Sequence, residues 1–301
     1  MQPSIGFIGL GEVGSSYARA LLQSGLPPEN VRALYLAARP GADPLRATRH
    51  AAELGIALHE EPQDFAPGLD LIVSAVSPRG ALESARLVSP HLCPPQCFLD
   101  VNSVGPGTKE AIARLVEASG AETADGAIMG APASSGRISI TLSGPCAERV
   151  AAMLVPFGAA VDVVGDRVGM AATLKMARSV VMKGLAMLLI EALWAARKAG
   201  VEEQVLQGLE ESIHQRDFGD MVHRFVCGSL QHAGRRVGEM EEVEAFLGEL
   251  GVPADMTRAT RDRLQYLASR DPSWRSVPFE SVDQALDALV EDAARGPGHG
   301  A

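Results

Sequence analysis

Ile5-Gly6-Phe7-Ile8-Gly9-Leu10-Gly11-Glu12-Val13-Gly14 is the stretch whose reading decides the fold. Its first half is a short apolar run ending in glycine, as a strand buried in a parallel sheet should be. Its second half spaces three glycines as G-x-G-x-x-G. Residues 14–24 then take up helical spacing, with Tyr17, Leu21 and Leu22 on one side. A glycine triplet of this kind is weak alone and informative between a strand and a helix. There it permits a tight turn and close approach of backbone to a pyrophosphate, while the helix N-terminus offers unpaired N–H groups and a positive dipole end. Gly9, Leu10, Gly11, Glu12, Val13 and Gly14 are therefore the expected cradle of a dinucleotide.

Outward from this loop the alternation continues. Strands are predicted over residues 31–38, 69–76, 97–101 and 161–164, and helices over 45–54, 80–87 and 108–119. Such alternation is the pattern of a doubly wound parallel sheet of Rossmann type. Residues 128–144, rich in glycine and small side chains with the alternating run Ile138-Ser139-Ile140-Thr141-Leu142, read as a hairpin or edge strands closing the sheet. Beyond Gly169 only helical spacing is found, over residues 171–199, 201–211, 218–231, 234–250 and 255–268. The expectation is α/β followed by all-α: a dinucleotide-binding domain over 1–166 and a helical domain over 167–301. The tail from Arg295, rich in Gly and Pro, is expected to fray.

Bulk properties narrow the function. The 301 residues are 47% hydrophobic and 21% charged, ample for a packed core. A net charge of −10 and a pI near 5.2 argue against a nucleic-acid partner, which needs a concentrated positive patch. The N-terminus runs into the first strand without a basic leader, so a cytoplasmic location is expected. The most apolar stretch, residues 184–196, is broken by Glu191 and preceded by Lys175, Arg178 and Lys183. It reads as a buried helix and not as a membrane span. Cys93 and Cys97 lack a second Cys or His pair nearby, so the four cysteines read as reduced structural thiols and no metal is expected.

The end of the second strand should choose the cofactor. An NAD site places Asp or Glu there, roughly 20 residues past the glycines, to bind the ribose hydroxyls. This chain offers Leu34, Tyr35, Leu36, Ala37 and Ala38 with no acid, then Arg39, with Arg46 and Arg49 shortly beyond. A guanidinium pairs with a 2′-phosphate as a bidentate fork, which favours NADP while leaving NAD possible.

The later motifs resemble the β-hydroxyacid dehydrogenase family, which includes 6-phosphogluconate and 3-hydroxyisobutyrate dehydrogenases. Val76-Ser77-Pro78 is similar to the family's loop against the cofactor. Asp100-Val101-Asn102-Ser103-Val104-Gly105-Pro106 is similar to its segment facing nicotinamide and substrate, through Asn102 and Ser103. Asp125-Gly126-Ala127-Ile128-Met129-Gly130-Ala131 falls where the family binds a substrate carboxylate, but with Met129 in place of a serine. Ser134-Ser135-Gly136, a few residues on, is then the candidate to stand in for that serine. Lys175 matches the family's essential lysine on the helix after the sheet domain. Ser179, where the family usually has Asn, and Lys183 follow at i+4 and i+8 on the same helix face. Residues 235–243, beginning Arg235-Arg236, resemble a C-terminal helical domain of unassigned function found on a subset of these proteins. His232 and Met240 are its candidate pocket residues, beside the two arginines.

The resemblance implies hydride transfer between a nicotinamide and a small hydroxyacid-like alcohol or carbonyl. Lys175 would be the general acid/base, since a lysine in a partly desolvated cleft can both take and give a proton. Asn102 and Ser103 would orient the reacting group. Replacement of the family serine and asparagine leaves a second enzyme reading open, reduction of an imine or larger ketone. A third, of another class, is a sensor that binds the dinucleotide without chemistry. The apolar face carrying Met182, Met187, Leu188, Leu189 and Trp194 predicts a homodimer that buries it.

Overall fold

The computed structural model describes residues 2–36, 44–129, 138–214, 217–275 and 278–295. The chain divides into two compact units, Met1–Val180 and Val181–Ala301. The division falls inside the long helix, whereas the expected boundary at 166/167 falls in the turn before it.

The first unit is built on an eight-stranded sheet in the order β3-β2-β1-β4-β5-β6-β7-β8. Its strands are β1 (Ile5–Ile8), β2 (Val31–Leu34), β3 (Ala57–His59), β4 (Leu71–Ser74), β5 (Cys97–Asp100), β6 (Glu122–Ile128), β7 (Ser139–Ser143) and β8 (Ala160–Val163). All neighbours run parallel except β6 and β7, which pair antiparallel with Asp125 opposite Ser143. Helices α1 (Glu12–Gln23), α2 (Pro44–Leu54), α3 (Pro62–Phe65), α4 (Ala81–Val88), α5 (Pro106–Glu117) and α6 (Ala147–Leu154) join the strands. β1, β4 and β5 are buried along their whole length, which is why they read as unbroken apolar runs. Alternate residues feed two cores: Phe7, Leu71 and Leu99 enter one, Ile8, Ile72 and Phe98 the other. Each such fully buried side chain contributes about 1.5–3 kcal/mol.

The short β3, α3 and α6 carry too little periodicity to be read from sequence. β6 begins at Glu122, earlier than the expected hairpin, and takes its parallel partner β5 as well as β7.

The long helix α7 (Met170–Ala199) leaves this sheet unit and continues into the second. There follow α8 (Glu202–His214), α9 (Phe218–Glu249), α10 (Asp255–Ala268) and α11 (Val282–Arg295). The two helices expected over 218–231 and 234–250 are one, kinked at His232, whose φ of −113° and ψ of 18° are not helical. Cys227, Leu230, Trp274 and Ala285 form one small core, and Ala195, Leu247, Val252 and Ala254 another.

The expectation that residues 184–196 form a buried helix is not met in the single chain. Ile190 is 56% exposed, and Met187 and Trp194 are each 47% exposed, with Leu188 also exposed and Leu189 half-buried. The strand-poor second unit gives α7 few neighbours to cover its apolar sides. By length and composition alone α7 would pass as a bilayer span, but its first turn is bonded into the sheet unit and Glu191 is bonded to α10.

Candidate active site

In a doubly wound sheet the ligand crevice lies at the carboxyl ends of the strands where the order reverses, here between β1 and β4. The glycine loop leaves β1 at that point. Gly9 has φ +91°, and a Cβ on it would stand 2.8 Å from the Ala75 carbonyl oxygen. A Cβ on Gly14 would stand 2.1 Å from the Gly9 oxygen, so both positions admit only glycine. Gly11 differs: among the described residues a Cβ there would meet nothing within 4 Å, which leaves the α1 N-terminus uncovered by them. Gly11 is also the N-cap of α1 and provides no side-chain cap. Bare backbone left uncovered at a helix start fits a pyrophosphate.

α2 is tied to this loop by a contact that sequence reading missed. His50 Nδ1–H donates to the Leu10 carbonyl at 2.7 Å, which fixes the ring tautomer. Arg46 and Arg49 are exposed on the same helix, and Arg49 lies 4.0 Å from Glu53. Arg39 lies outside the described residues. A histidine four residues beyond Arg46 was the available signal, since i and i+4 share a helix face.

The loops after β4 and β5 are joined by Asn102. Its Oδ1 accepts from the Val76 N–H at 2.7 Å, and its Nδ2 donates to Ser74 Oγ at 2.9 Å and to Asp100 Oδ1. Asn102 is buried and its amide is engaged at both ends, bracing the segment on which Val76 and the exposed Ser77 sit. Ser103, the next residue, is exposed and accepts from Lys175 Nζ at 2.9 Å. Two groups 72 residues apart are thereby brought together by the end of β5 and the second turn of α7.

Arg178, one turn past Lys175, reaches the half-buried Met129 at the end of β6, with a guanidinium nitrogen 3.8 Å from Sδ. Sequence reading passed over Arg178, although its i+3 spacing from Lys175 was visible. Ser179 is half-buried on the same turn. Gly130, Ala131, Ser134, Ser135 and Gly136 lie outside the described residues. Lys183, His232 and Met240 belong to the second unit, where Lys183 and His232 are exposed and Met240 is half-buried. Arg235 pairs with Glu239 on the exposed face of α9, while Arg236 folds back across the kink to donate to Ser229 Oγ at 2.7 Å.

Glycine loop, helix N-terminus and a braced pair of loops at the switch point define a nicotinamide-dinucleotide-binding, dehydrogenase-like protein. Residues 4–165 match the NAD binding domain of 6-phosphogluconate dehydrogenase, and the chain belongs to that family. Residues 196–267 match a domain of unknown function, DUF1932. An uncharacterized 28.5 kDa protein of Methanothermus fervidus is 29% identical over 263 residues, covering 87% of this chain and 98% of that protein. A conserved hypothetical protein from Sinorhizobium meliloti 1021 is 30% identical, covers 97% of both chains and superposes with a TM-score of 0.60. An imine reductase from Myxococcus stipitatus in complex with NADP+ shares the fold with a TM-score of 0.72 at 19% identity, over 95% of this chain and all of that one.

Proposed function

We propose that the chain is an NADP-dependent oxidoreductase that moves a hydride between the nicotinamide and the carbon of a small hydroxyacid-like alcohol or its carbonyl form. Lys175 is its general acid/base. The observation that carries this reading is the 2.9 Å bond from Lys175 Nζ to Ser103 Oγ. Because the ammonium donates to that oxygen, the Ser103 hydroxyl hydrogen is left to donate to a substrate oxygen. In reduction the pair delivers a proton to the forming alkoxide. In oxidation neutral Lys175 accepts the alcohol proton. When bound, the dinucleotide supplies or accepts the hydride. Gly9 to Gly14 hold its pyrophosphate, and Val76 and Ser77, braced by Asn102, lie along it. Arg178 supports an acidic substrate, because it sets a second cation one helix turn from Lys175 and forms no ion pair among the described residues.

NADP is preferred over NAD on the exposed arginines of α2 together with Arg39. A second copy of the chain covers the apolar side of α7, and light scattering at micromolar concentration should give twice the chain mass. The location we assign is cytoplasmic, in keeping with the family.

One observation favours a second reading, reduction of an imine or larger ketone: Met129 presents a thioether where the family presents a serine. The deciding experiment is titration with NADPH and NADH by nicotinamide fluorescence, then turnover of short 2- and 3-oxoacids, neutral ketones and cyclic imines. Oxoacid turnover lost in Lys175→Ala supports the proposal. Turnover of imines or neutral ketones alone overturns the hydroxyacid assignment. Binding without turnover of any of them, unaltered in Lys175→Ala, would indicate a dinucleotide sensor.

A further inference from the structure

The chain carries 23 arginines and four lysines, Lys109, Lys175, Lys183 and Lys198. Lys109 is the anomaly. It sits on the first turn of α5, 1% exposed, and the reaction proposed above does not use it. Burial of an ammonium costs several kcal/mol unless every hydrogen is matched by a well-placed acceptor. Here Nζ donates to the Asp100 carbonyl oxygen at 2.6 Å and is ion-paired with two carboxylates, 3.2 Å from Asp100 Oδ2 and 3.0 Å from Asp125 Oδ1. Asp100 and Asp125 are themselves buried.

Two branches leave this cluster, and each ends on one member of the Lys175–Ser103 pair. In the first, Asp100 Oδ1 accepts from the Asn102 backbone N–H at 3.1 Å and from the Asn102 side chain. That fixes the segment in which Ser103 is the next residue. In the second, Asp125 Oδ2 accepts from the Ala172 N–H at 2.8 Å, beside a 3.0 Å bond from the Ala171 N–H to Ser143 Oγ. These are first-turn donors of α7, and Lys175 follows Ala172 by three residues. Two carboxylates against one ammonium leave the cluster one negative charge in excess, which the positive end of the α7 dipole offsets.

We propose that Lys109 is a positioning residue: by bridging Asp100 to Asp125 it holds the β5 loop and the start of α7 in the one relation that lets Lys175 reach Ser103. The proposal deepens the function above and rests on it only for the catalytic consequence. The structural claim concerns where Lys175 sits and is testable without a substrate.

With four lysines, reductive 13C-methylation gives a spectrum in which Lys175 can be assigned by Lys175→Arg. The principal variant is Lys109→Met/Asp100→Asn, which removes one charge of each sign, keeps the net charge of the cluster and leaves Asp125 on Ala172. The expected result is a folded protein that binds NADPH within twofold of the parent. Its Lys175 resonance should move towards that of exposed Lys183, while that of Lys198 stays put. On any substrate found, kcat should fall roughly 100-fold with KM little changed, the size of effect that a misplacement near 1 Å produces. If the double variant does not fold, Asp125→Asn keeps an acceptor for the Ala172 N–H while cutting the charge pair, and should show the same Lys175 shift. A folded variant with an unmoved Lys175 resonance would overturn the proposal and leave Lys109 as an element of stability alone. Intact turnover in Lys175→Ala would instead overturn the proposed function, with the resonance experiment still deciding the positioning claim.

Discussion

Two helix starts in this protein are capped by carboxylates from far away in the sequence, and they are built differently. Asp125 on β6 caps α7 through Ala172, 47 residues on. Glu191, within α7 itself, caps α10 through the N–H groups of Met256 and Thr257 at 2.9 Å each and the Thr257 hydroxyl at 2.7 Å. Both satisfy donors that a helix leaves orphaned, and both place negative charge at a positive dipole end. Only Asp125 has a buried counter-ion, Lys109, and only its helix carries the Lys175–Ser103 pair close behind the cap. A cap that merely holds a fold together can stand on backbone donors. The one that, on the proposal above, sets Lys175 against Ser103 has a charged network behind it.

Lys175→Ala should have the largest effect: loss of kcat by about 10²- to 10⁴-fold with NADPH binding retained. Glu191→Gln, on the same helix, should leave kcat unchanged within twofold. If Glu191→Gln reduces kcat as strongly, the contrast between the two caps is void.

Stability should separate them next. Asp125→Ala strands Lys109 against a single carboxylate and should cost about 3–5 kcal/mol. Glu191→Ala should cost about 1–2 kcal/mol, as loss of a helix cap does. Urea unfolding can report the units separately. Trp194 and Trp274, the only tryptophans, both lie in the second unit, and NADPH fluorescence reports the first.

The pH dependence should carry opposite signs. Burial works against the charge of Glu191, but the Thr257 hydroxyl and the Met256 and Thr257 N–H groups outweigh it and hold the carboxyl below the ordinary range. Its contribution is therefore present above the unfolded value of about 4.3 and is lost as pH falls through the lower folded value. Asp100 is raised, because burial outweighs the attraction of Lys109. Its charged form costs the sheet unit stability as pH rises from about 3.9 through the folded value. Glu191→Gln should flatten the acid limb of the tryptophan-monitored curve, and Asp100→Asn should remove the opposite slope from the sheet unit. Slopes of the same sign in both units would refute the assignment.

The smallest effect belongs to His50→Ala. Loss of one hydrogen bond to the glycine loop, worth about 1 kcal/mol, should weaken NADPH binding roughly fivefold without altering the tryptophan-monitored unfolding.

The glycine loop shows how much was legible from sequence. Its function resides in contiguous backbone, so spacing alone located the turn and the helix start. The strands of the central sheet were legible because burial on both faces demands unbroken apolar runs. Lys175 and Ser103 were each singled out through the family resemblance, but the bond between them was not. His50, Arg178 and Lys109 were not, since their partners lie 40, 49 and 16 residues away in sequence. Asn102 was expected to face the reacting groups, but its amide is engaged in the loops on either side. That α7 carries more apolar surface than one small domain covers was legible from its composition, but which of those side chains the single chain leaves exposed was not.

Sequence by itself therefore determined the doubly wound class, the cofactor loop and the helical second half, each set by local spacing and periodicity. Tertiary structure alone decided that Lys175 meets Ser103, that Asp125 caps the helix carrying Lys175, and that one buried ammonium pairs with both Asp100 and Asp125. Hydrogen bonds and ion pairs act over about 3 Å in space and are indifferent to separation along the chain, so no local pattern records them.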